Sequence, residues 1–304
     1  MSLVRIDEIF YVWGIMEGYL GSGKRMISRL GSIGLSVGLA ALMGGIAMAQ
    51  QVVQFNGGDP NGDPVQILST DTMRFNYELG TFAAFGDARV IYEDVVVFAD
   101  QVEATFVSTD NGGRTAQDFS ALGEVYFATG TMEGLADRMD ADLTQDRYVF
   151  TGDDTQILTE DGRIFSDKSV SIDQRSGLVN VVSQGGGAVL VQGGNTIQAD
   201  SLRLTFYVAV GGGAMGALLE LLADGGVTAD VDGTQITADR LVSGGRDGDV
   251  ELFGNVRVKE QSTVLVGDCM IYNTVSGNAR LYPCPPEMGQ QAAGRVTGSA
   301  VLTN

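Results

Sequence analysis

Ile236-Thr237-Ala238-Asp239-Arg240-Leu241 is one of six related stretches in this chain. Each sets a small residue before an aspartate: Ala99-Asp100, Ala136-Asp137, Ser166-Asp167, Ala199-Asp200, Ala238-Asp239 and Gly267-Asp268, 29 to 39 residues apart. Three residues before the aspartate stand Val97, Ile164, Ile197, Ile236 and Leu265, with Gly134 the exception. Two after it stand Val102, Met139, Leu202, Leu241 and Met270, with Ser169 the exception. Side chains on a strand alternate with period two, so these two apolar positions would face opposite sides of a flat strand. The small-Asp step is therefore expected to be a bulge, a bend or a crossing between sheets. Asp100, Asp137, Asp167, Asp200, Asp239 and Asp268 each stand alone in their unit. They read as corner residues bonding their own backbone rather than as a ladder of cation ligands.

Working outward, a second element precedes several units. It reads Phe85-Gly86-Asp87-Ala88, Leu122-Gly123-Glu124-Val125 and Phe253-Gly254-Asn255-Val256, with Asp224-Gly225-Gly226-Val227 a looser copy. Glycine beside Asp or Asn is turn chemistry, and the alternation that follows, as in Val256-Arg257-Val258, reads as a half-buried strand. Each unit is thus strand, turn, strand. Met215 to Leu222 alone has helical propensity, but it follows Gly211-Gly212-Gly213 and reads as a long loop and then a strand. The architecture implied is all-β, a stack of repeated short strand pairs closed as a jelly roll or solenoid.

Composition agrees. The chain has 304 residues, 43 glycines, 38 acidic and 19 basic residues and no histidine. Without histidine there is no Ser-His-Asp triad, no Cys-His pair and no imidazole metal ligand. The acid excess has the wrong sign for a nucleic-acid backbone. At the N-terminus, Lys24, Arg25 and Arg29 precede an uncharged run from Leu30 to Ala49 ending Ala47-Met48-Ala49. That is a signal-peptide pattern over 26–49, with cleavage expected between Ala49 and Gln50. An uncleaved anchor is the alternative. Residues 1–25 read as an over-called start. Removing residues 1–49 takes four basic and three acidic residues, leaving 15 basic and 35 acidic, a net charge of −20. Export to an oxidising compartment makes a Cys269–Cys284 disulfide the expectation, with two buried thiols as the alternative.

Chemical motifs are scarce. Asp59-Pro60-Asn61-Gly62-Asp63 opens like a calcium loop but lacks its central Gly and closing Glu, so it reads as a polar turn. Gly244-Gly245-Arg246-Asp247-Gly248-Asp249 resembles a single calcium β-roll repeat with its glycine displaced. Gly185-Gly186-Gly187 and Gly193-Gly194 have neither the Lys-Ser/Thr nor the helix of a phosphate cradle. Paired carboxylates such as Asp153-Asp154 and Glu93-Asp94 sit at turns. Nothing here is a cofactor, metal or enzyme signature.

The segment from Val65 to about Ser183 resembles the LptA/OstA-like periplasmic family that carries lipopolysaccharide between the two membranes of Gram-negative bacteria. The resemblance rests on Ile67-Leu68-Ser69-Thr70-Asp71 leading to Met73 and Phe75, and on Phe85-Gly86-Asp87-Ala88-Arg89-Val90. It continues through Val97-Phe98-Ala99-Asp100-Gln101-Val102, Leu122-Gly123-Glu124-Val125 and Tyr148-Val149-Phe150-Thr151-Gly152. Thr237-Ala238-Asp239-Arg240-Leu241 and Phe253-Gly254-Asn255-Val256-Arg257-Val258 look like further copies. The resemblance implies a twisted β-jelly roll, open at both ends, holding lipid A acyl chains inside and stacking edge to edge into a homo-oligomer. Inner- and outer-membrane transport components would be its partners and the periplasm its location.

The layout expected is a polar N-terminal segment at 50–64, a family-like domain at 65–183, continuing repeats at 184–282 and a tail at 283–304. Alternation points Val102, Phe106, Phe127, Met139, Leu202, Phe206, Met270 and Tyr272 inward, as candidate groove residues. Gln66–Tyr77 and roughly 263–281 are the expected open sheet edges. Two other readings stay open: a secreted β-solenoid enzyme acting on carbohydrate through exposed carboxylates, and a structural repeat protein with a filled core.

Overall fold

The computed structural model describes residues 51–55, 65–92, 94–108, 114–160, 162–208, 215–244, 248–282, 284 and 298–302. The expected extension, leader and cleavage site lie outside these residues, as do Asp59 to Asp63 and Gly245 to Asp247. Residues Gln50–Asn304 form one compact unit.

Every regular element among the described residues is a strand. The first five are β1 (Gln51–Phe55), β2 (Val65–Ser69), β3 (Thr72–Asn76), β4 (Thr81–Tyr92) and β5 (Val95–Ser108). Next come β6 (Arg114–Ala128), β7 (Met132–Asp142), β8 (Arg147–Thr151), β9 (Thr155–Thr159), β10 (Gly162–Ser166) and β11 (Ser169–Asp173). Then follow β12 (Leu178–Val182), β13 (Ala188–Gln192), β14 (Asn195–Ala199), β15 (Ser201–Val208) and β16 (Met215–Val231). The chain continues as β17 (Thr234–Gly244), β18 (Asp249–Glu260), β19 (Thr263–Asn273), β20 (Ala279–Leu281) and β21 (Gly298–Leu302).

The pairings form two ladders joined along one side. In sheet I the order is β1, β2, β4, β5, β6, β7, β9, β10, β13, β14, β16, β17, β18, β19, β21. In sheet II it is β3, β4, β5, β6, β7, β8, β11, β12, β15, β16, β17, β18, β19, β20. The long strands belong to both, each half pairing in a different sheet. Through β7 and β16 the ladders close into a ring of ten strands, with further strands on either side. The ladder runs unbroken past residue 183, since β12 pairs with β15 and β10 with β13.

The chain therefore climbs from sheet II to sheet I, turns, falls back and turns again. Falling passes cross at the small-Asp step and rising passes at the Gly-polar step. The rising corner carries one residue more, so register shifts interrupt β4–β5, β6–β7, β16–β17 and β18–β19 at these points. At Gly254 (φ 69°) and Asn255 (φ 50°) both corner residues are left-handed, a conformation glycine adopts without a Cβ clash. The falling aspartate lies against the next rising glycine. A Cβ on Gly86, Gly152 or Gly187 would fall 2.7, 2.6 and 2.7 Å from Asp71, Asp137 and Asp167, and Gly123, Gly225 and Gly254 meet Asp100, Asp200 and Asp239 more closely still. This crease, where the sheets join, is a column of alternating aspartates and glycines.

Three of the carboxylates, those of Asp137, Asp167 and Asp239, bond across to the neighbouring corner. The Asp153 N–H donates to Asp137 Oδ2 (3.2 Å), the Gln184 N–H to Asp167 Oδ1 (2.9 Å), and the Asn255 amide to both Asp239 oxygens (3.1 and 3.0 Å). Of the small residues before the aspartates, Ala99, Ala199, Ala238 and Ser166 are buried in the narrow angle between the sheets. Ser166 Oγ donates to the Val182 carbonyl (2.6 Å) and accepts from the N–H groups of Lys168 and Ser169 (3.1 and 3.0 Å).

The two apolar positions of the repeat become two inward rows. In sheet I, Ile67, Val90, Val97, Phe127, Gly134, Ile157, Ile164, Leu190, Ile197, Ala229, Ile236, Val258 and Leu265 are paired in sequence across the ladder. In sheet II the row reads Met73, Ala84, Val102, Ala121, Met139, Phe150, Val170, Val181, Leu202, Ala223, Leu241, Leu252 and Met270. Both exceptions have steric reasons. A Cβ on Gly134 would meet Phe150 and Ile157 at 3.0 and 3.2 Å. The corner after Ser166 is longer by Lys168, so Val170 takes the row position in place of Ser169.

The edges agree with expectation in part: β3 and β20, inside the two expected ranges, are outermost among the described residues, while the rest of each range is covered. Val65–Ser69 is covered by β1, and Thr263–Asn273 by β20 and β21. Among the described residues the outermost strands are β1 and β3 at one end and β20 and β21 at the other. The Cys269–Cys284 disulfide (Cα–Cα 5.3 Å) fastens the residues after β20 to β19.

Candidate functional site

The interior is packed near the crease and opens on the far side, where hairpin turns end both sheets. Of the eight inward positions read from the sequence, Val102, Phe127, Met139, Leu202, Met270 and Tyr272 are fully enclosed. Phe106 and Phe206 lie nearer the open side and are partly buried. The enclosed positions are core at this depth, so any space for a ligand lies beyond them, toward the mouth.

That mouth is sealed in two places. Toward the N-terminal end, Phe127 of sheet I meets Phe150 and Tyr148 of sheet II, with ring centroids 5.6 and 5.7 Å apart. Toward the other end, the Tyr272 hydroxyl reaches across to Thr234 Oγ1 (3.4 Å). Between the seals lie two adjoining clefts. One, about 200 Å³, is lined by Met132, Ile157, Ile164 and Leu190 of sheet I and by Ile172, Val179, Phe206 and Leu218 of sheet II. The second, about 190 Å³, shares Leu190, Gln192 and Leu218 and continues past Ile197, Leu221, Ile236 and Val250. Their rims hold Thr159, Glu160, Gln192 and Asn195.

Phe106 and Phe206 are equivalent positions, one hundred residues apart. Val97-Phe98-Ala99-Asp100 to Thr105-Phe106 aligns with Ile197-Gln198-Ala199-Asp200 to Thr205-Phe206. In both, the strand shifts register between Thr and Phe, and the Phe N–H donates to a glycine carbonyl on the preceding turn, Gly80 (2.7 Å) or Gly177 (2.8 Å). A bulge re-aims the side chain it carries, here toward the mouth.

The chemistry available is burial. Among the described residues no three His, Cys, Asp or Glu side chains converge on a metal-sized point. Tyr148, at the first seal, is one titratable group of the mouth. Burial first, then the Asp146 and Asp94 carboxylates on the turns of the two sheets, push its phenol above its ordinary value. Sequence reasoning missed the cleft residues Met132, Ile157, Leu190 and Leu218. Alternation marks them as inward-facing but carries no signal for where the sheets part.

No protein-family model matches this sequence, and no curated protein matches it. Among solved structures the chain is similar to LptH, the LptA homologous periplasmic component of the lipopolysaccharide transport device from Pseudomonas aeruginosa. That match covers 40% of this chain and 82% of the other at 16% identity, with a TM-score of 0.34.

Proposed function

We propose that this protein is a periplasmic carrier that takes acyl chains of lipopolysaccharide into the cleft between its sheets, with the body a twisted β-jelly roll. The observation that carries the reading is the pair of adjoining apolar clefts, lined from both sheets and continuous with the buried rows. A buried CH₂ contributes about 0.8 kcal/mol, so a few methylenes of each chain suffice for capture without a polar site. With 15 basic residues against 35 beyond residue 49, the phosphates of the lipid stay outside. The outer edges of β1, β3, β20 and β21, outermost among the described residues, are the surfaces for edge-to-edge assembly with further copies or with membrane-bound transport components. The family resemblance of residues 65–183 points the same way.

Photo-crosslinking residues at Phe206, Leu218 or Met132 are expected to capture lipopolysaccharide in cells. Leu202 and Met270, enclosed behind them, are expected to capture little. Efficient capture at the outward-facing Thr228 with none at the three cleft positions would overturn the reading.

A further inference from the structure

Over the clefts the two walls of the mouth carry different chemistry. One step outward from Leu190 and Ile197 on sheet I, Gln192 and Asn195 face inward as the last pair of the β13–β14 hairpin. Both are half-buried, and Gln192 lines both clefts at their junction. Across from them on sheet II stand the apolar Phe206 and Leu218. Thr159, in the same row as the amides, is bonded to the Gly162 backbone of its own turn (3.2 Å). The amides are less committed. Asn195 Oδ1 accepts from the Asp232 N–H (3.0 Å), which leaves its NH₂ group as a donor. The Gln192 amide has no partner among the described residues.

Charge at this place has one sign. Among the described residues, the charged groups lining the clefts are Glu160 and Glu220, both acidic. The nearby Arg175, next to Gln174 on a sheet II turn, is engaged by the Asp146 carboxylate (2.8 Å) and the Thr144 carbonyl. A phosphate seated over the junction would face a carboxylate and neutral donors, without the cation that an oxyanion pairs with best. A hydroxyl group, in contrast, donates to a carboxylate and exchanges hydrogen bonds both ways with an amide.

We propose that the junction of the clefts selects the head of the lipid, and that the head it takes is an uncharged sugar with no phosphate at that place. The proposal rests on the acyl-chain reading and deepens it. A sugar ring has an apolar C–H face and a polar rim of hydroxyls, and the two walls match that division. The face lies on Phe206 and Leu218 while the hydroxyls reach Gln192, Asn195 and Glu160. The acyl chains continue from there into the clefts on either side.

The test uses the full chain and the neutral dye N-phenyl-1-naphthylamine, whose fluorescence rises in an apolar cleft. Dodecyl glucoside and dodecyl phosphate, equal in chain and different in head, compete with it below the concentrations at which they form micelles. The glucoside is expected to displace the dye at about a tenfold lower concentration than the phosphate. Gln192→Ala with Asn195→Ala should cut that preference about fivefold. Glu160→Gln should cut it about threefold by admitting the phosphate. Glu78→Gln, the same change of charge on an exposed turn away from the clefts, should leave it where it was. The readout is a ratio of two amphiphiles within one variant, which a general loosening of the cleft does not move. Should the paired variant fail to fold, Glu160→Gln on its exposed turn carries the test alone.

Equal displacement by the two heads overturns the proposal and leaves the acyl-chain reading standing. A preference that Glu78→Gln moves as far as Glu160→Gln does the same, since it would belong to the overall charge of the chain. So does a preference that survives the paired amide substitution intact. Displacement by neither amphiphile nor by lipopolysaccharide removes the carrier function, and the selection of a head with it.

Discussion

The crease and the mouth are built from the same passes of chain yet obey different rules. At the crease every choice is steric: an aspartate against a glycine, an alanine or serine in the narrow angle, left-handed backbone at each rising corner. At the mouth, turn lengths vary, exposed apolar residues such as Tyr77, Leu79 and Val275 stand on the turns of sheet II, and the sheets part between two seals. The difference teaches where the fold is specified and where there is room for a function to differ. One side holds the sheets in register, and the other is left free to admit something.

The largest expected effect tests whether the mouth is core after all. Phe150→Ala empties a fully enclosed site and should cost about 3–5 kcal/mol in urea denaturation. Phe206→Ala, on the same sheet but at the cleft, should cost less than about 2 kcal/mol. Equal costs would erase the distinction between the two regions.

Next comes the glycine column. Gly254→Ala sets a Cβ against Asp239 in left-handed backbone and should destabilise by about 2–3 kcal/mol. Gly244→Ala near the mouth meets nothing within 4 Å and should stay within about 0.5 kcal/mol. Combining Gly254→Ala with Asp239→Ala should recover part of the loss, and strict additivity in that cycle would show that the two corners do not touch. Smaller still, Tyr272→Phe removes the hydroxyl that spans to Thr234 and should cost about 1 kcal/mol while extending ligand capture toward Val250.

The smallest effect lies at alkaline pH. The folded Tyr148 ionises above its unfolded value of about 10, so the unfolded chain loses that proton first. Its contribution is intact below about pH 10 and is lost as pH rises toward the folded value. Asp94→Asn with Asp146→Asn should bring the ionisation of Tyr148 down, read by ultraviolet titration. Tyr126, raised by burial and by Glu133 on the outer face of sheet I, should not move.

The crease was largely legible in the sequence because it repeats. The five-residue offset between Val97 and Val102 demanded a change of face, and the register shift between Phe98 and Gln101 supplies it. Asp71 is a seventh falling corner. It escaped the repeat because its inward residue, Ile67, stands one place further back, before Ser69 and Thr70. The pairing of each aspartate with the following glycine was invisible, since 15 to 25 residues separate them and only the ladder brings them together. The mouth was illegible for a related reason. Nothing periodic fixes the length of a turn, and the spreading of two sheets is decided by neighbours four or more strands away. Of the site, Phe206 was found by alternation, but its equivalence to Phe106 needed the bulges to be seen.

Because each corner leans only on the next, the molecule grows along its axis by one kind of increment. A rise and a fall together add two strands to each sheet and about 10 Å of length, with no change to the passes on either side. Duplicating such a segment in the gene would lengthen the body without redesigning it, and deleting one would shorten it by the same step. The span across which this protein can reach is therefore a heritable integer, counted in aspartates.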